Sequence, residues 1–305
     1  MKACYPEGWI LEKTENKKGI YSASRLEAAC DSGEVLESVA YMCDNEHNLL
    51  VNLGSMKGII PRSEGALGIK EGTTRDIALI SRVGKAVCFT VKEIINDGGR
   101  EYAVLSRFEA QKKARDIIFS ECRVGDIIDA RVTHLESFGA FCDIGSGNIA
   151  LLPIDSISVS RISHPRDRFA VGDDIKVIIR QIENGRITLS HKELLGTWEE
   201  NAAAFSQGQT VYGVVRSVES YGVFVELAPN LAGLAELRDT ARVGQSASVY
   251  IKSIIPEKMK IKLIIIDTFD GEVPKDINYF YEGERIEEFT YSPKCANKKI
   301  HTVFE

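Results

Sequence analysis

Several familiar signals are missing from the 305-residue sequence, and each absence removes a class of function. The seven cysteines are scattered singly without a CxxC pair, so neither a disulfide framework nor a zinc site is expected. No GxxxxGK[ST] or GxGxxG motif is present to hold a nucleotide phosphate. His134, His164 and His191 have no cysteine or acidic partner at a metal or triad spacing. We therefore expect neither an enzyme nor a bound cofactor or metal.

Long apolar runs are also missing. No run approaches the length of a membrane span, and the polar N-terminus lacks the features of a signal peptide. A composition of 44% hydrophobic and 27% charged residues is typical of a globular chain rather than a disordered one. These observations predict a cytoplasmic monomer without a membrane partner.

An excess of positive charge, the usual mark of a nucleic-acid binder, is absent as well. The formal net charge is −6. Residues 122–194 carry nine basic and ten acidic side chains, and residues 207–267 carry seven and six. Phosphate contacts usually dominate nucleic-acid affinity. Binding by these near-neutral segments would therefore depend on stacking and on a few well-placed cations.

The segment 125–190 contains the most informative pattern. Side chains that alternate with a period of two predict a strand, and its core face carries Ala140, Cys142 and Ile144. Phe141 and Asp143 then lie on the outer face, where polar side chains are the rule. Gly139 permits a kink that brings Phe138 towards Phe141. Two rings on a solvated strand form a platform on which nucleic-acid bases can stack.

The same pattern returns at residues 208–264. Thirteen residues separate Gly125 from Phe138 and also Gly208 from Tyr221. The core face of the new strand carries Val223, Val225 and Leu227, and the outer face carries Phe224 and Glu226. The cation Arg186 of the earlier copy corresponds to Lys260, which Lys262 follows on the same face. A period of this kind indicates tandem domains.

A weaker copy occupies residues 33–106. It keeps the core positions Leu49, Val51 and Leu53, but His47 and Leu50 stand where the ring pair is expected. Each copy has about five short strands, which is typical of a small barrel of the OB type. We predict a mainly β protein of three tandem five-stranded OB-type barrels joined by short helices, with a small C-terminal β meander.

The predicted domain boundaries follow from these repeats. A possible strand at residues 9–11 and a helix at 25–30, capped by Ser24 and ended by Gly33, belong to an N-terminal extension. Thr197 and Glu200 have the spacing of a capping box in the second linker. The segments are an extension at 1–32, a degenerate repeat at 33–107, helical linkers at 108–121 and 194–206, repeats with the ring pair at 122–193 and 207–267, and a C-terminal β extension at 268–305.

A basic cluster at residues 158–169 has two interpretations. Arg161, Arg166 and Arg168 lie within eight residues of one another and would suit contact with RNA phosphates. Alternatively, Asp167 and the acidic pair 173–174 bind these arginines and fix the loop. The sequence favours neither interpretation.

The chain resembles a known family. Phe138-Gly139-Ala140-Phe141 and the later Gly185-Arg186-Ile187-Thr188-Leu189-Ser190 are similar to the S1-type RNA-binding repeat, named after a protein of the small ribosomal subunit. The whole chain looks like bacterial proteins with three such repeats. The resemblance implies RNA contact through Phe138, Phe141 and Arg186, and through Tyr221, Phe224 and Lys260. The family's RNA-facing histidine is replaced by Pro153 in one repeat and by Glu236 in the other.

These observations predict a non-enzymatic protein that binds single-stranded RNA and acts in translation through messenger RNA or the ribosome. The expected partners are messenger or ribosomal RNA and the small ribosomal subunit. The expected RNA contacts are the two ring pairs, Arg186, Lys260, Lys262 and the arginines of the basic cluster. One alternative is a protein-interaction adaptor of the ribosome or RNA-processing machinery with little RNA affinity of its own. Another is an OB protein associated with DNA or transcription.

Overall fold

The computed structural model describes residues 4–238, 241–271 and 277–305. The first three residues of the polar N-terminus, residues 239–240 of the third repeat and residues 272–276 of the tail lie outside this description. The chain divides into two compact units. The N-terminal unit comprises Met1–Cys122, Asp129–Arg131 and Asp143–Ile149, and the C-terminal unit comprises Arg123–Ile128, Val132–Cys142 and Ala150–Glu305.

Three closed five-stranded barrels account for most of the strands described, and all three have the same strand order. The first contains β1 (Leu36–Cys43), β2 (Leu49–Asn52), β3 (Lys57–Ile60), β4 (Ala86–Asp97) and β5 (Arg100–Ser106). The second contains β6 (Ile127–Glu136), β7 (Gly139–Asp143), β8 (Ile149–Pro153), β9 (Asp174–Glu183) and β10 (Arg186–Ser190). The third contains β11 (Thr210–Glu219), β12 (Gly222–Ala228), β13 (Leu231–Ala235), β14 (Ser246–Ile255) and β15 (Lys260–Phe269).

In each barrel the third strand pairs in parallel with the fifth, and the fifth pairs antiparallel with the fourth. This arrangement is the Greek-key topology of the OB fold. The predicted fold class is therefore confirmed. A two-stranded sheet of β16 (Glu288–Thr290) and β17 (His301–Val303) supplies the short C-terminal β structure.

Helices flank and connect the barrels. They are α1 (Thr14–Tyr21), α2 (Ala23–Ser32), α3 (Ile77–Ile80), α4 (Arg107–Glu121) and α5 (Trp198–Ala202). Short 3-10 turns lie at Arg62–Glu64, Ile154–Ser156, Pro165–Asp167, Lys192–Leu195 and Pro256–Lys258. Gly33 ends α2 in the left-handed conformation (φ 64°), as its position after the helical run predicted.

The second linker shows how local sequence sets a helix boundary. The Thr197 hydroxyl accepts a hydrogen bond from the Glu200 backbone N–H, and the Glu200 carboxylate accepts one from the Thr197 N–H. The predicted capping box is therefore present. The helix is shorter than the predicted linker, because Gly196 (φ 82°) separates the preceding 3-10 turn from α5. Trp198 is 3% exposed and packs into the core of the third barrel.

The alternating pattern correctly predicted several of the side chains that fill the barrels. Ala140, Cys142, Val223 and Val225 are fully buried. Leu227 is only half-buried, because the pairing of β12 with β13 becomes irregular after Glu226. Such irregularities change the face on which the following side chain lies.

Sequence predictions are wrong at three places. Ser24 does not cap α2, because the helix begins at Ala23 and its N-cap residue, Ser22, makes no side-chain capping hydrogen bond. Residues 9–11 form a turn instead of a strand, because the Glu37 carboxylate accepts hydrogen bonds from the backbone N–H groups of Gly8 and Ile10. Asp143 is 2% exposed instead of lying on a solvated face. Its carboxylate accepts hydrogen bonds from the backbone of Glu7, Gly145 and Gly147.

The domain boundaries remain predictions. They follow the repeats of the sequence, whereas the two units divide the chain by its contacts and assign parts of the second repeat to each unit.

Candidate nucleic-acid interface

A pair of rings lies at the start of β7. Phe138 occupies the turn before the strand and is 55% exposed, whereas Phe141 is half-buried. Their ring centroids are 6.0 Å apart and the ring planes are perpendicular. An edge-to-face contact of this kind is favourable between aromatic rings. The structure thus brings together the two rings that the sequence pattern predicted to meet.

Gly139 is required between these rings because a neighbouring strand passes close to its backbone. A Cβ atom at this position would lie 2.5 Å from the carbonyl oxygen of Leu152. The Phe138 carbonyl also accepts a hydrogen bond from the Ile154 N–H, 2.9 Å away. The turn that carries the exposed ring is therefore fixed against the end of β8.

The third barrel repeats this geometry. The rings of Tyr221, which is 68% exposed, and half-buried Phe224 are 6.1 Å apart at an angle of 88°. A Cβ on Gly222 would lie 2.4 Å from the carbonyl oxygen of Ala235. The same ring arrangement therefore recurs in two barrels with different sequences.

A third ring adjoins the pair of the second barrel and was missed by sequence reasoning. The ring of His134, on β6, has its centroid 6.2 Å from that of Phe141, with 30° between the planes. Its Nε2 lies 2.6 Å from a carboxylate oxygen of Glu136. In the third barrel, Ser217 is the residue directly opposite Phe224. The short turn between β6 and β7 fixes the register of the two strands, and that register predicts that His134 lies across from Phe141.

The cations predicted for the third barrel lie on the fifth strand. Phe224 is opposite Leu234 on β13, and Leu234 is opposite Lys262 on β15. Adjacent strands are about 4.8 Å apart, so the backbones of Phe224 and Lys262 are separated by about 10 Å. Lys260 precedes Lys262 by two residues on the same face, and both are exposed.

In the second barrel the corresponding cation is Arg186. It is exposed at the start of β10 and lies directly opposite Glu183 on β9. The residue in the position of Lys262 is Thr188, which is opposite Leu151. The candidate surface of the second barrel therefore combines its ring pair with a third ring and one predicted cation, whereas that of the third barrel combines a ring pair with two predicted cations.

The basic cluster divides into exposed and buried members. Arg161 and Arg166 are exposed. Arg168 is 4% exposed, and its two terminal nitrogens each donate to a Glu226 carboxylate oxygen at 2.9 Å. Arg168 was predicted to contact RNA, and the structure corrects this because its guanidinium is buried against a carboxylate.

The structure also corrects the predicted position of Glu226, the partner of Arg168. It was predicted to lie exposed on the outer face of its strand but is 6% exposed. Burial raises its pKa, but hydrogen bonds and charge from Arg168 and Arg216 outweigh that effect and hold the pKa below its ordinary value. The carboxylate is therefore ionised in the fold.

The first barrel lacks the ring pair. Leu50 occupies the position of the second ring and lies between Met42 on β1 and Ile59 on β3. His47, with a left-handed backbone (φ 62°), precedes it in the turn. The surface that carries the rings in the other two barrels is thus aliphatic here.

Two negative findings concern the described residues only. No helix among them is long and apolar enough to span a membrane. No group of three or more histidine, cysteine or acidic side chains within the described ranges could hold a metal ion.

The strand order defines a domain of the OB type, and comparison with known families agrees. Residues 121–192, which include the second barrel, match the model of the S1 RNA binding domain. This match confirms the predicted resemblance.

The chain as a whole is similar to small ribosomal subunit protein bS1. The Staphylococcus aureus (strain COL) protein is 28% identical over 287 residues, covering 85% of this chain and 71% of that protein. The Leuconostoc lactis protein is 30% identical over 226 residues, covering 72% of this chain and 50% of that protein. A multidomain protein with nucleic acid binding domains from Streptococcus pneumoniae is 14% identical, with a TM-score of 0.25, over 77% of this chain and 73% of that chain.

Proposed function

We propose that the protein binds single-stranded RNA with the ring pairs of its second and third barrels and acts in translation, through contact with messenger RNA or the ribosome. It does so as a cytoplasmic monomer without enzymatic activity. The observation that carries the proposal is the recurrence of one ring geometry at corresponding positions of two barrels, with centroids 6.0 and 6.1 Å apart.

The mechanism is stacking supported by a few cations. Every base has a π face, so a ring can stack any base and contributes about 1–3 kcal/mol per base. Arg186 on one barrel, and Lys260 and Lys262 on the other, are exposed and can each neutralise a phosphate. With so few cations, we expect modest affinity and a weak dependence on sequence.

The similarity to bS1 and the match to the S1 RNA binding domain support the class of function. The name of the relatives, a protein of the small ribosomal subunit, supports the small subunit as the partner proposed here. The first barrel is not part of the proposed RNA surface, because Leu50 replaces the second ring.

The test measures binding of a fluorescent single-stranded RNA by anisotropy, with the unsubstituted protein and with Phe141→Ala combined with Phe224→Ala. We expect each lost ring to weaken binding about 5- to 150-fold, the equivalent of 1–3 kcal/mol. Tyr212→Ala is the matched control, because this ring is 63% exposed on the third barrel away from the pair and packs against Phe269.

Measurements at about 50 and about 200 mM salt separate stacking from phosphate contact, because only the latter depends strongly on salt. Undiminished binding by the double variant would contradict the stacking mechanism. A protein that binds no RNA at the lower salt concentration would contradict the proposed function itself.

A further inference from the structure

The basic loop of the second barrel, residues 158–169, is bound to the third barrel. The Ser160 N–H donates to the Pro229 carbonyl at 3.1 Å, and the Ser160 hydroxyl donates to the Ala228 carbonyl at 3.2 Å. The Val159 N–H donates to the side-chain oxygen of Asn230 at 2.9 Å. These contacts fix the loop to the end of β12 and the turn that follows it.

Arg168 anchors the other end of the loop to the same strand. Its two hydrogen bonds to Glu226 form a bidentate pair, the geometry in which arginine binds a carboxylate most strongly. Arg216 on β11 donates two more hydrogen bonds to Glu226, at 3.0 and 3.1 Å, and lies 3.7 Å from Asp167 of the loop. Two arginines and two carboxylates thus balance each other, and the loop cannot leave β12 without exposing unpaired charges.

This anchor lies on the face of the third barrel that carries its ring pair. Glu226 follows Phe224 by two residues on β12, and residues two apart share one face of a strand. Their Cα atoms are therefore about 7 Å apart. Because Glu226 contacts Arg168, this end of the loop lies close to the Phe224 side of the ring pair.

The exposed arginines of the loop are held near the C-terminal half of β12, Arg166 beside the Glu226 contact and Arg161 beside the Ala228 contact. Arg161 lies one residue after the Ser160 contacts, and Arg166 lies two residues before Arg168. Both are exposed, whereas the anchoring residues Ser160 and Arg168 are buried. The buried members hold the loop, and the exposed members stay accessible to solvent, with the Arg166 Nε donating a hydrogen bond to the His164 ring at 3.2 Å.

We propose that Arg161 and Arg166, although they belong to the second barrel, bind the phosphates of RNA held on the Tyr221–Phe224 pair of the third barrel. The RNA surface of the third barrel is then composite, built from its own rings and from the loop of its neighbour. This inference rests on the proposed function, because it assigns the loop arginines to one of the two proposed stacking sites.

The experiment places Arg161→Ala with Arg166→Ala in two backgrounds and measures binding of single-stranded RNA by anisotropy. In the Phe141→Ala background, RNA is held by the third barrel, and we expect the loop substitutions to weaken binding about tenfold. The slope of the logarithm of the binding constant against the logarithm of the salt concentration should become shallower by up to about 1.4, the change expected for two lost phosphate contacts. In the Phe224→Ala background, RNA is held by the second barrel, and we expect a change of less than about twofold from the same substitutions.

Lys57→Ala with Lys85→Ala is the matched control, because it removes two exposed positive charges from the first barrel. It should change binding little in both backgrounds. The reverse pattern, with the larger loss in the Phe224→Ala background, would overturn the assignment, because the loop arginines would then bind RNA held by the second barrel. An equal loss in both backgrounds would overturn it as well. Absence of RNA binding by the unsubstituted protein would instead overturn the proposed function, so the two failures can be told apart.

Discussion

The buried carboxylate of Glu226 provides a direct test of how the C-terminal unit is held together. It accepts four hydrogen bonds, two from Arg168 at 2.9 Å and two from Arg216 at 3.0 and 3.1 Å. In Glu226→Gln the negative charge is lost and an amide NH₂ faces guanidinium groups that also only donate. Removing one partner of a buried ion pair costs about 3–5 kcal/mol, because the remaining charge is left without compensation. We expect that loss in the free energy of unfolding.

Urea unfolding monitored by tryptophan fluorescence measures this loss. The chain has two tryptophans, and Trp198 is packed in the core of the third barrel. A Trp9→Phe background therefore makes the signal specific to the C-terminal unit. Glu236→Gln, at an exposed position of the same barrel, is the control and should change stability by no more than about 0.5 kcal/mol. A loss below about 1 kcal/mol for Glu226→Gln would refute the reasoning that this ion pair is buried and essential.

Two further predictions concern single residues. Burial lowers the pKa of His191 to about 4 from about 6.5, so the unfolded chain takes up the proton at a higher pH than the folded chain does. The free energy of unfolding should therefore fall by about 3 kcal/mol as pH drops from about 6.5 to about 4. Urea titrations at several pH values should lose this pH dependence in His191→Gln and keep it in His134→Gln, which changes an exposed histidine. Gly139→Ala places a Cβ 2.5 Å from the Leu152 carbonyl oxygen and should cost about 1–3 kcal/mol in thermal unfolding, whereas neighbouring Ser137→Ala should be neutral. A stable Gly139→Ala variant, or a pH dependence unchanged in His191→Gln, would contradict these accounts.

Features that depend on local periodicity could be predicted from the sequence. Alternating side chains identified the buried positions of β7 and β12, and the thirteen-residue spacing identified the two ring pairs. The Thr197–Glu200 capping box followed from spacing alone, since its partners lie in one helical turn. Each of these interactions forms between residues close in the chain.

Features that depend on contacts between distant segments could not be predicted. Nothing in the alternation of β12 indicates that a loop nearly sixty residues earlier covers Glu226, so both Glu226 and Arg168 were expected to be exposed. Asp143 was misplaced for a similar reason, because the backbone of Glu7 binds its carboxylate. His134 is a different case, since the register of a tight hairpin would have placed it opposite Phe141. There the signal was present in the sequence and was not used.

The central claim is that RNA bases contact the two ring pairs. The most direct measurement is photo-crosslinking of the protein to single-stranded RNA containing a photoreactive uridine, with the attached residues identified by mass spectrometry. We expect adducts at or next to Phe138, Phe141, Tyr221 and Phe224. Adducts confined to the first barrel or to the C-terminal sheet, with none in β7 or β12 or the turns before them, would contradict this claim.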